Sequence, residues 1–107
     1  MSHDFESQKA ETHQVFGQLK RKHTLPDKAA VEYQFIPMED EANWPAFENA
    51  AKALGHATKR FEDEDYIEVT TSPVTLDADT IWAHEKALTD IALETGFSPD
   101  GWGFVGT

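Results

Sequence analysis

Five histidines, two runs of carboxylates and a few hydroxyls are the side chains through which this 107-residue chain could do chemistry. A metal site on one element needs ligands spaced so that both converge on one ion, as in HxH, HxxxH or HExxH. His3, His13, His23, His56 and His84 show none of these spacings, and His84-Glu85 has no second histidine four residues on. They read as solvated or boundary imidazoles, with His84 closest to the apolar stripe of its helix. The acidic runs are Glu39-Asp40-Glu41 and Glu62-Asp63-Glu64-Asp65. A calcium loop needs alternating ligands, a central glycine and a terminal bidentate glutamate, and neither run has them. The chain has no cysteine, which excludes a disulfide framework, a thiolate nucleophile and a thiolate metal site. Its serines lie near the N-terminus or beside proline, and its glycines other than Gly17 sit at helix ends and in the last few residues. Neither a catalytic triad nor a phosphate-cradling loop can be assembled from them. No catalytic residue, metal or cofactor is expected.

Charge is the more informative property. The net charge is −11, and it is unevenly distributed. Residues 1–28 carry five basic and four acidic side chains, whereas residues 29–107 carry four basic and sixteen acidic ones. Such a field repels phosphate backbones and attracts basic partners, over a range that salt limits to about 10 Å. Direct nucleic-acid binding is therefore disfavoured, and the two acidic runs become the candidate contacts for a basic protein segment. No window approaches the ~20 apolar residues of a membrane span, and the N-terminus has no apolar signal stretch. The expected location is cytoplasmic.

The elements that must position these groups can be read from periodicity. A helix is predicted from Ser2 to His23, with Phe5, Val15, Phe16 and Leu19 as anchors and cations at its end, complementing the macrodipole. Leu25-Pro26-Asp27 breaks it. Val31, Tyr33 and Phe35 alternate with Glu32 and Gln34, the period of a half-buried strand that Pro37 ends. A second helix runs from about Asn43 to Leu54, with Asn43 as N-cap, Pro45 in the first turn and Gly55 as stop signal. His56 to Phe61 and Tyr66 to Thr71 form a hairpin around the charged turn at Glu62 to Asp65. The third helix extends from about Leu76 to Thr95, capped by Thr75 or Asp77. Its core stripe is Ile81, Leu88, Ile91 and Ala92, and Trp82 and Leu93 form a second apolar edge suited to docking the first helix. Asp100-Gly101 has turn chemistry, and the aromatic residues after it predict a short closing strand, with Trp102 as a core plug.

The order after residue 29 is thus β-α-β-β-α-β. This predicts an α+β domain of ferredoxin-like, split βαβ type, an antiparallel sheet with helices on one face, plus an N-terminal helix. Residues 1–28 would be the helix and its linker, and residues 29–107 the domain itself. The first and third strands would be central, the second and last edges. RNA-recognition modules share this order but place aromatic and basic residues on their first and third strands. The third strand here, Asp65-Tyr66-Ile67-Glu68-Val69-Thr70, has one outward aromatic beside an acid and no basic residue.

The stretch from Tyr33 to Phe104 resembles the domain of the bacterial B-type regulator of ribonuclease E activity. The resemblance rests on Phe35-Ile36-Pro37 followed by an acidic loop, a helix with Phe47 and Leu54-Gly55, Pro73 to Leu76 opening the last helix, and Gly96 with Asp100-Gly101-Trp102. It implies a ferredoxin-like fold, with Asp100, Gly101 and Trp102 as a structural signature. It also implies a non-catalytic role, in which the domain binds the scaffold region of ribonuclease E and inhibits RNA processing. Glu39, Asp40, Glu41, Glu62, Asp63, Glu64 and Asp65 are then the expected partner contacts. Two other classes fit the residues. One is a small ligand-binding domain or enzyme with a pocket between sheet and helices, rimmed by His84, Tyr66 or Trp82. The other is an oligomeric domain pairing through its last strand.

Overall fold

Alternating apolar side chains need one sheltered face, and the arrangement of elements follows from supplying it. The computed structural model describes residues 4–22, 24–38 and 42–104, and these form three helices and six strands. Helix α1 spans Phe5–Lys22, strand β1 Lys28–Ala29, β2 Val31–Pro37, α2 Trp44–Ala53 and β3 Ala57–Phe61. A 3-10 turn at Glu62–Glu64 leads to β4, Tyr66–Thr70, then β5, Val74–Thr75, α3, Ala78–Thr95, and β6, Phe97–Phe104. Four strands make one antiparallel sheet in the order β3-β4-β2-β6. Strands β2 and β4 are therefore internal, and β3 and β6 are edges. The short strands β1 and β5 pair separately, Lys28 opposite Thr75 and Ala29 opposite Val74. This clip was invisible to periodicity, because two residues carry no period.

Val31, Tyr33 and Phe35 of β2 share a face with Ile67 and Val69 of β4, and all five are buried. Phe47 of α2 meets Phe35 and Phe97 with ring centroids 5.0 Å apart in each pair. Ala51, Ile81, Leu88 and Ala92 complete the helix side of the core. The Phe35 pair is edge-on and the Phe97 pair tilted, and aromatic pairs of this kind add about 0.5–1.5 kcal/mol beyond the area they bury. Phe16 of α1 joins the same cluster and meets Phe104 edge-on at 6.4 Å. The Tyr33 hydroxyl donates to the Ile81 carbonyl at 2.7 Å, tying sheet to helix. Burial, reinforced by the charge of Glu85, raises the pKa of that phenol, so it remains a donor.

Helix ends are satisfied as their sequences require. Asn43 accepts from the Ala46 N–H at 3.1 Å, and Asp77 from the Thr80 N–H at 2.7 Å. Asp77 is thus the N-cap of α3, while the alternative, Thr75, lies in β5. These hydrogen bonds hold the Asp77 carboxyl below the usual carboxylate range. Gly96 closes α3 in the left-handed region at φ +90°.

Asp100-Gly101 is not a turn. β6 begins at Phe97, directly after Gly96, and runs through the pair. Phe35 lies opposite Pro99 while Gln34 lies opposite Gly101, so Asp100 is an extra residue and the register shifts there. The positive φ of glycine serves a bulge as readily as a turn, and at Gly101 φ is +139°. The shift sets which way the tail faces. Trp102 lies opposite Tyr33 and Phe104 opposite Val31, on the core side, while Gly101 and Gly103 lie opposite Gln34 and Glu32 on the other face.

A Cβ at Gly101 or at Gly103 would meet nothing within 4 Å, so sterics oppose neither substitution. Gly101→Ala should nevertheless cost about 1–2 kcal/mol from backbone strain alone. Gly103→Ala should be neutral or slightly stabilising, and denaturant unfolding of the two variants checks the difference.

Candidate functional site

The face of the sheet opposite the core is where polar chemistry collects. It carries Glu32, Gln34 and Ile36 from β2, Tyr66, Glu68 and Thr70 from β4, and Lys59 and Phe61 from β3. None of them is buried, and Ile36 is 37% exposed. Cross-strand register places Phe61 opposite Tyr66, and their rings stack at 4.5 Å with 12° between planes. The Lys59 ammonium lies 5.0 Å from the centroid of the Phe61 ring. Glu32 stands opposite Thr70 and Glu68 opposite Gln34, so the two carboxylates are diagonal neighbours, two residues apart in register. Their side-chain hydrogen bond, then desolvation, then the Glu68 charge raise the pKa of Glu32. Tyr66 is also raised, by desolvation first and then by Glu64, Glu68 and Glu32 around it.

The residues singled out from sequence fall into two groups here. Glu39, Asp40 and Glu41 lie outside the described residues. Glu62 opens the 3-10 turn, and Asp63, Glu64 and Asp65 are exposed along it, with Asp65 at φ +62°. This turn joins β3 to β4 beside Tyr66, so its carboxylates and those of the open face form one acidic surface. In sequence Glu32 and Glu68 are simply the polar half of an alternation. Only strand pairing brings them together.

The signature residues line a different feature. Asp100, Gly101 and Trp102 border a cleft of about 560 Å³ between α1, α3 and β6, with Gln8, Thr12 and Glu85 on its opposite side. Trp102 is half-buried against the core, 5.6 Å from the Phe104 ring, and so is less enclosed than a core plug. Glu85 is buried at 6% exposure and accepts from Thr12 Oγ1 at 2.5 Å and from Gln8 Nε2 at 2.9 Å. Gln8 donates also to Thr89 Oγ1 at 3.0 Å. This polar seam and the edge-on contact of Phe5 with Trp82 at 6.4 Å fasten α1 to α3. The pocket rim expected from sequence does not form here. Tyr66 faces outward on the sheet, Trp82 is covered by Phe5, and His84 packs against His56 with ring centroids 5.6 Å apart. Burial, and then His84, lowers the pKa of His56. Among the described residues, no three His, Cys, Asp or Glu side chains gather as a metal-binding group.

The fold and the charge pattern define a small α+β domain whose distinctive chemistry is spread over an acidic surface. The chain belongs to the family Regulator of ribonuclease activity B, RraB, which matches residues 9–104 and so extends from within α1 to the end of β6. That family regulates ribonuclease activity, as the resemblance in the aromatic strand and the Asp-Gly-Trp tail implied. No curated protein matches the chain. No helix among the described residues is long and apolar enough to cross a membrane.

The raised pKa of Glu32 has a consequence for stability. Folded Glu32 holds its proton to higher pH than it does in the unfolded chain, so the unfolded state ionises first as pH rises. Stability is lost as pH climbs from the ordinary carboxylate range through that raised value. Glu32→Gln should therefore raise Tm at neutral pH by about 2 °C, and the gain should vanish near pH ~3.5, where the Glu32 carboxyl is protonated in the folded and unfolded chain alike. Thermal unfolding followed by circular dichroism at both pH values checks this.

Proposed function

We propose that this chain is a non-catalytic regulator of a ribonuclease that acts by docking its acidic surface on a basic protein segment, such as the scaffold region of a ribonuclease E-type enzyme. The single observation that carries the reading is the gathering of Asp63, Glu64 and Asp65 beside the carboxylates of the uncovered sheet face. Family membership supports it, as does the excess of twelve negative charges over residues 29–107. On this reading Glu39, Asp40, Glu41 and Glu62 belong to the same contact set. The strand order β3-β4-β2-β6, with α2 and α3 as crossovers, supports a ferredoxin-like arrangement. The regulatory unit is residues 29–107, onto which α1 of the first 28 residues docks through Gln8 and Thr12. Such a regulator would work in the cytoplasm, alongside the enzyme it restrains.

Docking of this kind is steered by long-range attraction and is screened by salt. The association rate with a basic ribonuclease segment should fall about tenfold or more between low and physiological salt, as surface plasmon resonance would show. The chain should slow RNA cleavage by an enzyme that carries the segment and leave an enzyme lacking it unaffected. A salt-independent affinity would contradict the reading.

A further inference from the structure

Two carboxylates on neighbouring strands of an exposed face weaken the fold that carries them, because like charges at such spacing repel. Glu32 and Glu68 form such a pair, and no contact in the core depends on either. Beside them lies a lane without side chains. Gly103 is opposite Glu32 and Gly101 opposite Gln34, and above both glycines a Cβ would meet nothing within 4 Å. Phe61 and Tyr66 stack at the other side of the face, and the Lys59 ammonium already sits on the Phe61 ring. The rings of this stack thus offer π-faces that attract cations.

We propose that the uncovered sheet face, centred on Glu32, Glu68 and Tyr66, binds an extended protein segment bearing arginine or lysine. The proposal rests on the docking reading above and names the surface that performs it. A guanidinium is the best match, because it stacks on an aromatic ring and pairs with carboxylates through its planar fork. Its alkyl stem would lie along Ile36, and a cation between Glu32 and Glu68 would relieve their repulsion. The glycine lane admits the segment's backbone close to the sheet. A nucleic acid meets the opposite sign of charge on every phosphate.

The test measures binding of a fluorescent Arg-Ser repeat peptide to the full chain by anisotropy. Glu32→Gln combined with Glu68→Gln should weaken binding about tenfold, and Tyr66→Leu about threefold. One double variant removes the same charge elsewhere, Glu11→Gln with Asp100→Asn at the cleft. It should weaken binding by less than about twofold. An equal loss from this cleft variant would overturn the assignment to the sheet face while leaving acidic docking intact. Failure of the unmodified chain to bind the peptide at all would overturn both. Binding of an oligoribonucleotide that Glu32→Gln with Glu68→Gln strengthens and Tyr66→Leu abolishes would overturn the choice of a protein segment. Circular dichroism of each variant separates lost binding from lost fold.

Discussion

Burial on one side of a four-stranded sheet is the constraint on which everything else depends. Val31, Tyr33 and Phe35 can be sheltered only if the helices gather over their face, and the rings of Phe47 and Phe97 fill that space. Period-2 alternation then sends Glu32, Gln34, Glu68 and Tyr66 to the opposite side. The fold therefore produces an uncovered polar face as a geometrical by-product of its core. What that face carries is free to serve recognition, since packing does not dictate it.

The tail shows how a local irregularity enforces that division. Without the extra residue at Asp100, the alternation of β6 would be out of phase with β2 at one end, and an aromatic ring would project into solvent. With it, Phe97 and Pro99 face the core before the bulge, and Trp102 and Phe104 after it. Glycines take the outward positions. The same segment walls the cleft beneath α1, where Glu85, Gln8 and Thr12 form a seam of buried hydrogen bonds. A buried carboxylate is tolerable only when hydrogen-bonded, so this seam sets the position of α1 on α3 more narrowly than apolar contact alone would. The Asp-Gly-Trp residues act through architecture, and the acidic chemistry lies on the other side of the sheet.

Much of this was legible in the sequence because it rests on local rules. The caps Asn43 and Gly96, the alternation of β2 and β4 and the apolar stripe of α3 could all be read from neighbours in the chain. So could the docking role of Trp82. What escaped reading depends on pairing between distant segments. Asp100-Gly101 looked like a turn because positive φ serves turns and bulges alike, and only register distinguishes them. Glu85 and Thr89 appeared as ordinary helix polars until Gln8 and Thr12 arrived from 73 to 81 residues away. Glu32 and Glu68 likewise meet only across strands. The acidic turn was visible as a run of charge, whereas the larger surface it borders was not.

The most direct test of the account is a map of where a basic segment lands. Backbone amide shifts of the labelled chain, followed while an Arg-Ser repeat peptide is titrated in, report on every strand at once. The largest changes are expected at Glu32, Gln34, Tyr66, Glu68, Gly101 and Gly103, with the core-facing helices unmoved. Changes confined to α2 and α3, or to the cleft beneath α1, would contradict it.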